Sequence, residues 1–293
     1  MTAASSELTE FAPAKVNLTL HVLGRRPDGY HEIESLVAFA DIGDRLTFAP
    51  GDALSLEVTG PSAAGAGADQ DNLVLRAARA LSERIDGLRG GRFVLDKQLP
   101  VAAGLGGGSS DAAAALRLLA RYNDVGIDDL CLLAAARATG ADVPVCLDPQ
   151  ARMMRGFGEV LSAPVALPEL PAVLVNPGVA VPTKNVFAAL AALALTSPVQ
   201  ANDFIAIDTD AASLVSLLTA RRNDLEIPAI GIQAVIADVL RGLQTLPRCL
   251  LARMSGSGAT CFGLFGSAGA AAEAAQRLQT AQPGWWVRAT TLS

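Results

Sequence analysis

The residues best suited to chemistry lie in the stretch "LPVAAGLGGGSSDAAAALRLLARY", which begins at Leu99. Gly104, Gly106, Gly107 and Gly108 come just before Ser109 and Ser110, and an alanine-rich amphipathic run follows. A glycine costs about 0.5–1 kcal/mol relative to alanine wherever the backbone must be fixed. A cluster of them before a helix needs a use. Glycines let backbone N–H groups converge on an anion, serines cap the following helix, and the helix N-terminus adds partial positive charge. Pro100, Val101, Ala102, Ala103, Gly104, Leu105, Gly106, Gly107, Gly108, Ser109 and Ser110 are therefore expected to form a polyphosphate cradle, with the serine hydroxyls facing phosphate or its Mg²⁺. Two familiar signatures do not fit. The G-x-G-x-x-G spacing ends on Ser109 or Asp111, and no Gly-Lys pair exists for a Walker loop. A flexible linker would mix serine and glycine and would not run straight into an amphipathic helix.

A second glycine turn, "MSGSGATCFGLF", joins two apolar strand-like runs. A plain hairpin and a second ligand contact are both open for it. Of 23 basic residues only Lys15, Lys97 and Lys184 are lysine. Lysine is a compact point charge that arginine does not replace at tight phosphate sites.

Composition narrows the function classes. The net charge of −6 opposes general nucleic-acid binding, which relies on basic surface. Cys131, Cys146, Cys249 and Cys261 are far apart, without a CxxC, and only two histidines are available. This disfavours a zinc site or a disulfide framework and predicts buried reduced thiols. The longest apolar run, residues 186–195, falls short of the ~18 residues a membrane span needs. The first residues, "MTAASSELTEF", lack the apolar segment of a secretory signal. No membrane and no nucleic-acid partner are expected, and the compartment is expected to be cytoplasmic.

The elements that must hold these residues follow from periodicity. Residues 15–22, "KVNLTLHV", alternate polar and apolar, which predicts a strand with one buried face. A turn at "RRPDGYH", a strand at 32–39, a "DIGD" turn and short strands at 45–48 and 53–58 come next. Residues 60–71 read as a loop, 72–85 as a helix and 93–95 as a strand. Helices are predicted at 110–122 and 128–139, a turn at "TGADVP", and strands at 151–155 and 159–161. Pro164, Pro168 and Pro171 mark a linker, so domains of 1–165 and 166–293 are expected. The second half reads strand 172–176, helices 183–195, 211–220 and 232–243, strands 249–254 and 260–265, helix 269–280 and strand 286–290. Strands and helices mix without strict βαβ repetition, which predicts an α+β fold in two lobes.

These motifs carry a resemblance. "PVAAGLGGGSSDAA" resembles the central phosphate motif of the GHMP kinases, the superfamily of galactokinase and the homoserine, mevalonate and phosphomevalonate kinases. "APAKVNLTL" and "MSGSGATCF" are similar to its first and third motifs. "AKVNLTLHVLGRRPDGYHEIES", "TGADVPVCL", "PTKNVF" and "RNDLE" resemble one branch of it, so the similarity runs over nearly the whole chain. The resemblance implies an N-terminal mixed α/β nucleotide-binding lobe and a C-terminal ferredoxin-like α/β lobe, with the active site between them. It implies transfer of a phosphoryl group from ATP to the 2-hydroxyl of a cytidine-diphosphate-linked methylerythritol. Mg²⁺ is expected to accompany the nucleotide with few protein ligands, and the molecule to be a monomer or weak homodimer.

Roles follow from the same resemblance. Asp142, in an otherwise apolar segment, is the expected general base; from spacing alone it also reads as a helix N-cap. Lys15 is its expected partner at the transferring phosphate, although a solvated strand lysine is the ordinary reading. Asn17 lies two residues on, on the same strand face, and is implied to touch the methylerythritol hydroxyls. Tyr30 and Phe187 are implied to sandwich the cytosine, with His31 at its edge; Phe187 also fits core packing. Thr183 is implied as a substrate ligand, and Lys97 and Asn72 at the adenine, where locally they read as a strand-end charge and an N-cap. His21 reads as structural. Ala102 and Ala103 depart from the glycine or methionine of many relatives, and Asp111 places a carboxylate beside the cradle. Another GHMP kinase, acting on homoserine or mevalonate, is the nearest alternative, and Tyr30 and His31 speak against it. A non-catalytic nucleotide-binding module is the other, and Lys15 and Asp142 speak against that. RNA binding, suggested by ribosomal-protein relatives of the N-terminal lobe, is opposed by the acidic balance.

Overall fold

Period-two and period-3.6 patterning sort the chain into alternating strands and helices. The computed structural model describes residues 7–67, 71–192 and 210–293. In chain order the elements begin with β1 (Leu8–Asn17), β2 (His21–Arg25), β3 (His31–Pro50) and β4 (Ser55–Thr59). Next come α1 (Ala63–Ala66), α2 (Leu73–Ser82), β5 (Gly91–Asp96), α3 (Gly107–Tyr122), α4 (Leu130–Thr139) and α5 (Val143–Leu147). β6 (Arg152–Gly156), β7 (Val160–Leu161), β8 (Leu170–Asn176), α6 (Thr183–Ala192), α7 (Ala211–Thr219) and α8 (Glu226–Ile232) follow. The chain closes with α9 (Val235–Gln244), β9 (Cys249–Met254), β10 (Cys261–Phe265), α10 (Ala268–Ala281) and β11 (Trp286–Leu292).

Two units form, interleaved along the chain. The first comprises Met1–Ala14, Ile42–Val101 and Gly106–Pro149. In it the C-terminal half of β3 pairs antiparallel with β5, Phe48 opposite Phe93, and β4 adds parallel to β5. Phe48 centres the sheet's buried face, 5.0 Å from Phe93 and 5.3 Å from Tyr122, ring to ring. α2, α3, α4 and α5 pack on one another. Alanines at 112 to 115 let α3 be buried nearly all round.

The second unit comprises Lys15–Asp41, Ala102–Leu105 and Gln150–Ser293. β2 and β6 flank the N-terminal half of β3, and β7 extends β6. Antiparallel pairing then runs from β3 through β11, β8 and β10 to β9. Val173, Val175, Cys261, Phe265 and Val287 join Ile236, Val239, Leu243, Ala274 and Leu278 in its core.

Several expectations need correcting. Residues 15–22 are not one strand with a wet face. β1 ends at Asn17, because Leu18 N–H bonds Leu36 O and Leu20 N–H turns to Arg222 O. Lys15, Asn17, Thr19 and His21 are as buried as the apolar residues between them. "DIGD" is no turn, since β3 runs straight through it. Gly43 is there for close approach: a Cβ would overlap the Ala12 carbonyl oxygen and lie 2.7 Å from Pro13 Cα. α3 starts at Gly107, so Ser109 and Ser110 do not cap it; Gly106, left-handed at φ 62°, is the N-cap. The loop at 60–71 contains the single turn α1, and "TGADVP" leads into α5. α8 was not anticipated because "EIPAIGI" has poor helix propensity, but Pro228 falls in its first turn, where no N–H is needed. All four cysteines are unbridged thiols, with Cys146 and Cys261 buried and Cys131 and Cys249 half-buried. The helix expected to 195 is described to Ala192; the last three positions lie outside the described residues.

Candidate active site

In the second unit the two glycine turns meet. The β9–β10 hairpin turn donates twice across to residues 102–105: Thr260 N–H to Ala103 O at 3.0 Å, and Ser255 Oγ to Gly104 O at 2.9 Å. Gly104 is left-handed, φ 76°, and a Cβ there would press on Ser255 O and stand 2.9 Å from Gly258 O. Only glycine fits both demands. The hairpin reading of the second turn is right, and the turn also supports the first.

Lys15 and Asn17 join this junction. Lys15 N–H bonds Leu105 O at 2.8 Å, and its Nζ donates to Asn17 Oδ1 at 3.2 Å. Asn17 N–H bonds Ser255 Oγ at 3.0 Å, and Nδ2 donates to Ser35 Oγ at 2.7 Å. Both side chains are 3% exposed. Burying an ammonium is costly unless its donors are met, and this network orients it. Asn223, from the quoted "RNDLE", was given no role by sequence. Its Nδ2 donates to Met254 O and Gly256 O, both at 2.8 Å, which holds the second turn in place. Ser255 was likewise missed; its place in "MSGSG" was the available signal.

The other second-unit residues lie where β3 and α6 begin. Tyr30 follows the β2–β3 turn and is 59% exposed, its ring 5.1 Å from Phe157. His31 stacks on Phe187 at 4.5 Å and 24°. Burial, helped by the Arg25 charge, holds the His31 pKa below its ordinary value, so the ring is neutral with one donor and one acceptor nitrogen. Thr183 is exposed at the start of α6, its hydroxyl 2.8 Å from Ser257 Oγ.

In the first unit Gly106, Gly107, Gly108 and Ser109 form the N-terminal turn of α3, a 16-residue helix whose first N–H groups have no intrahelical acceptor. Pro100 is half-buried and Val101 exposed just ahead of it. Ser110 is fully buried and donates to Pro13 O at 2.8 Å, which removes its hydroxyl from ligand contact. Asp142 is half-buried at the N-cap position of α5 and makes no capping hydrogen bond there. Asn72 does cap: Oδ1 accepts from Val74 N–H at 2.9 Å, and Nδ2 donates to Gly67 O at 2.8 Å. Lys97 is buried, with Nζ 2.5 Å from both Asp44 Oδ2 and Asp111 Oδ2. Burial presses that ammonium down, yet the two carboxylates together hold its pKa above the ordinary value. Burial pushes Asp111 up to about 7 against the pull of Lys97, with Asp44 adding to the rise.

A glycine-led helix start and a glycine turn locked under a second one suit a phosphate-binding enzyme. The chain matches the GHMP kinases N terminal domain over residues 72–148 and the GHMP kinases C terminal domain over residues 206–284. The class is therefore that of small-molecule kinases of the GHMP type. Curated relatives include a 4-diphosphocytidyl-2-C-methyl-D-erythritol kinase of Methylorubrum extorquens, 57% identical over 98% of this chain and 100% of that one. One of Xanthobacter autotrophicus is 58% identical over 96% and 97%. A crystal structure of 4-(cytidine 5'-diphospho)-2C-methyl-D-erythritol kinase superposes with a TM-score of 0.77 at 36% identity, covering 98% of this chain and 99% of the other. Homoserine kinase from Cytophaga hutchinsonii shares the fold at 19% identity and a TM-score of 0.74. The chain belongs to the 4-diphosphocytidyl-2-C-methyl-D-erythritol kinase family.

Proposed function

We propose that this kinase transfers the γ-phosphoryl group of ATP to the 2-hydroxyl of 4-diphosphocytidyl-2-C-methyl-D-erythritol, in the cytoplasm. The observation that carries the reading is the junction of the two glycine turns with Lys15 and Asn17. The near-full-length identity to kinases named for that substrate supports the acceptor. Homoserine and mevalonate kinases share only the fold.

Phosphoryl transfer is mostly positioning and charge stabilisation. In this reading the amides of residues 104–109 hold the phosphates, and Asp142 accepts the proton of the attacking hydroxyl. Lys15, oriented by Asn17, meets the charge on the transferring group. Asn17 also faces the methylerythritol hydroxyls and Thr183 reaches the acceptor. Tyr30 and Phe187 enclose the cytosine, with neutral His31 at its edge. The adenine lies towards Asn72 and Lys97, where Lys97 acts together with Asp44 and Asp111 rather than as a lone cation. Among the described residues no group of three His, Cys, Asp or Glu side chains gathers to cage a metal. Mg²⁺ would accompany the nucleotide, with few direct protein ligands. Domains of 1–165 and 166–293 remain our proposed division, and a monomer or weak homodimer the proposed assembly.

The test is ADP release, followed by a coupled assay, with the cytidylyl methylerythritol and with the same sugar alcohol lacking the nucleotide. Turnover is expected with the first alone. Equal turnover of both, or turnover of homoserine or mevalonate instead, would refute the reading.

A further inference from the structure

Phe157 is a ring that phosphoryl transfer does not use. It sits on the 156–159 turn between β6 and β7 and is half-buried. Strand register explains what it meets. β2 pairs with β3 up to Arg25 opposite His31, and β3 pairs with β6 up to Ile33 opposite Gly156. Tyr30 and Phe157 each lie one residue beyond a paired end, so the two turns project side by side. Their rings lean together, centroids 5.1 Å apart and planes at 35°.

The Phe157 turn is itself held. Gly156 and Gly158 are left-handed, at φ 70° and 116°, and Phe157 N–H bonds Glu159 Oε2 at 2.7 Å. Arg26 joins this turn to the Tyr30 turn. Its guanidinium lies 5.6 Å from the Phe157 centroid, its NH1 is 3.9 Å from Glu159 Oε1, and its Nε is 3.1 Å from Asp28 Oδ2. Asp28 Oδ1 in turn accepts the Tyr30 N–H at 3.1 Å. The Tyr30 backbone is therefore fixed by its own turn. Its side chain, 59% exposed, has Phe157 as its aromatic support.

An exposed tyrosine that must stack on a ligand loses side-chain freedom at the moment of binding, and holding its ring beforehand removes that cost. We propose that Phe157 is the positioning residue for Tyr30, setting its ring in the orientation that receives the pyrimidine base of the acceptor. The proposal rests on Tyr30 contacting that base. It makes the β6–β7 turn a determinant of preference for a nucleotide-linked alcohol over a bare one.

Steady-state kinetics on Phe157→Ala, Phe157→Tyr, Tyr30→Ala and the double alanine variant tests it. Phe157→Ala is expected to raise KM for the cytidylyl substrate about three- to tenfold, the scale of one lost aromatic pair, leaving kcat and KM for ATP near wild type. Phe157→Tyr restores the ring and is expected to restore KM. The double variant is expected to be no worse than Tyr30→Ala, since Phe157 acts through Tyr30. An unchanged KM in Phe157→Ala beside a raised KM in Tyr30→Ala overturns the positioning role alone. Additive effects in the double variant, or a fall in kcat with both KM values moved, also overturn it. A silent Tyr30→Ala removes the base-stacking reading and the proposal with it.

Discussion

Lys15 holds its ammonium in a nearly waterless setting, with Asn17 Oδ1 3.2 Å away and the Leu105 carbonyl on its own amide. A lysine kept this way is aimed, and on our reading its target is the phosphoryl group in flight. Lys15→Ala and Asp142→Ala are each expected to lower kcat by at least the ~10²–10⁴-fold of lost acid–base catalysis. Circular dichroism should show the fold retained; turnover within about tenfold of wild type would remove the assignment. Tyr30 makes a different kind of contribution. Base–aromatic stacking is worth about 1–3 kcal/mol per base in single-strand binding, so Tyr30→Ala is expected to raise KM for the cytidylyl substrate far more than for ATP. Equal shifts in both would count against a role at the base.

Elements place these residues by close approaches that only glycine permits, and two of them separate stability from binding. Gly43 lets β3 pass the Ala12 carbonyl, so Gly43→Ala is expected to destabilise the protein by about 1–3 kcal/mol in urea unfolding, the usual cost of overpacking. Gly104 combines a left-handed backbone with contact to the second turn. Gly104→Ala must shift residues 102–105, and its left-handed cost of about 1–2 kcal/mol is expected to raise KM for ATP roughly five- to thirtyfold. An unaltered KM would show that this turn does not face the nucleotide. Gly104 was legible in sequence as part of a cluster, because clustered glycines have few other uses. Gly43 was misread as a turn, because local composition cannot tell a turn glycine from one that faces a crossing chain. The same limit applied at 15–22. Strict alternation marks a strand, yet the polar face here is covered by Ser35, Ser255 and the 222–224 segment, partners far away in sequence. Asn223 and Phe157 act through such long-range contacts, which no local pattern encodes.

At the scale of the whole molecule, stability sums over groups whose ionisation differs between folded and unfolded chain, and two buried ones act in opposite directions. Burial lowers the His21 pKa against the Asp224 carboxylate, so its contribution is full above 6.5 and is lost as pH falls from there through the lowered folded value. Asp111 works the other way. Two carboxylates share one ammonium inside the first unit, and burial raises Asp111 from 3.8 to about 7. Between those values the folded chain holds a proton that the unfolded chain has released. Its contribution is therefore full below about 3.8 and is lost as pH rises through about 7. Asp111→Asn keeps the shape and removes the titration. Measured by calorimetry in steps from acid to neutral pH, the Tm of Asp111→Asn relative to wild type is expected to climb up to about 7 and then level off. His21 and the groups outside the Asp44–Lys97–Asp111 cluster are common to both proteins and cancel in that difference. A difference that stays flat or falls across this range would mean that Asp111 is ionised throughout. The Asp44–Lys97–Asp111 cluster would then carry its net negative charge folded, with the Gln98 and Leu99 N–H groups that bond Asp44 Oδ1 offsetting it.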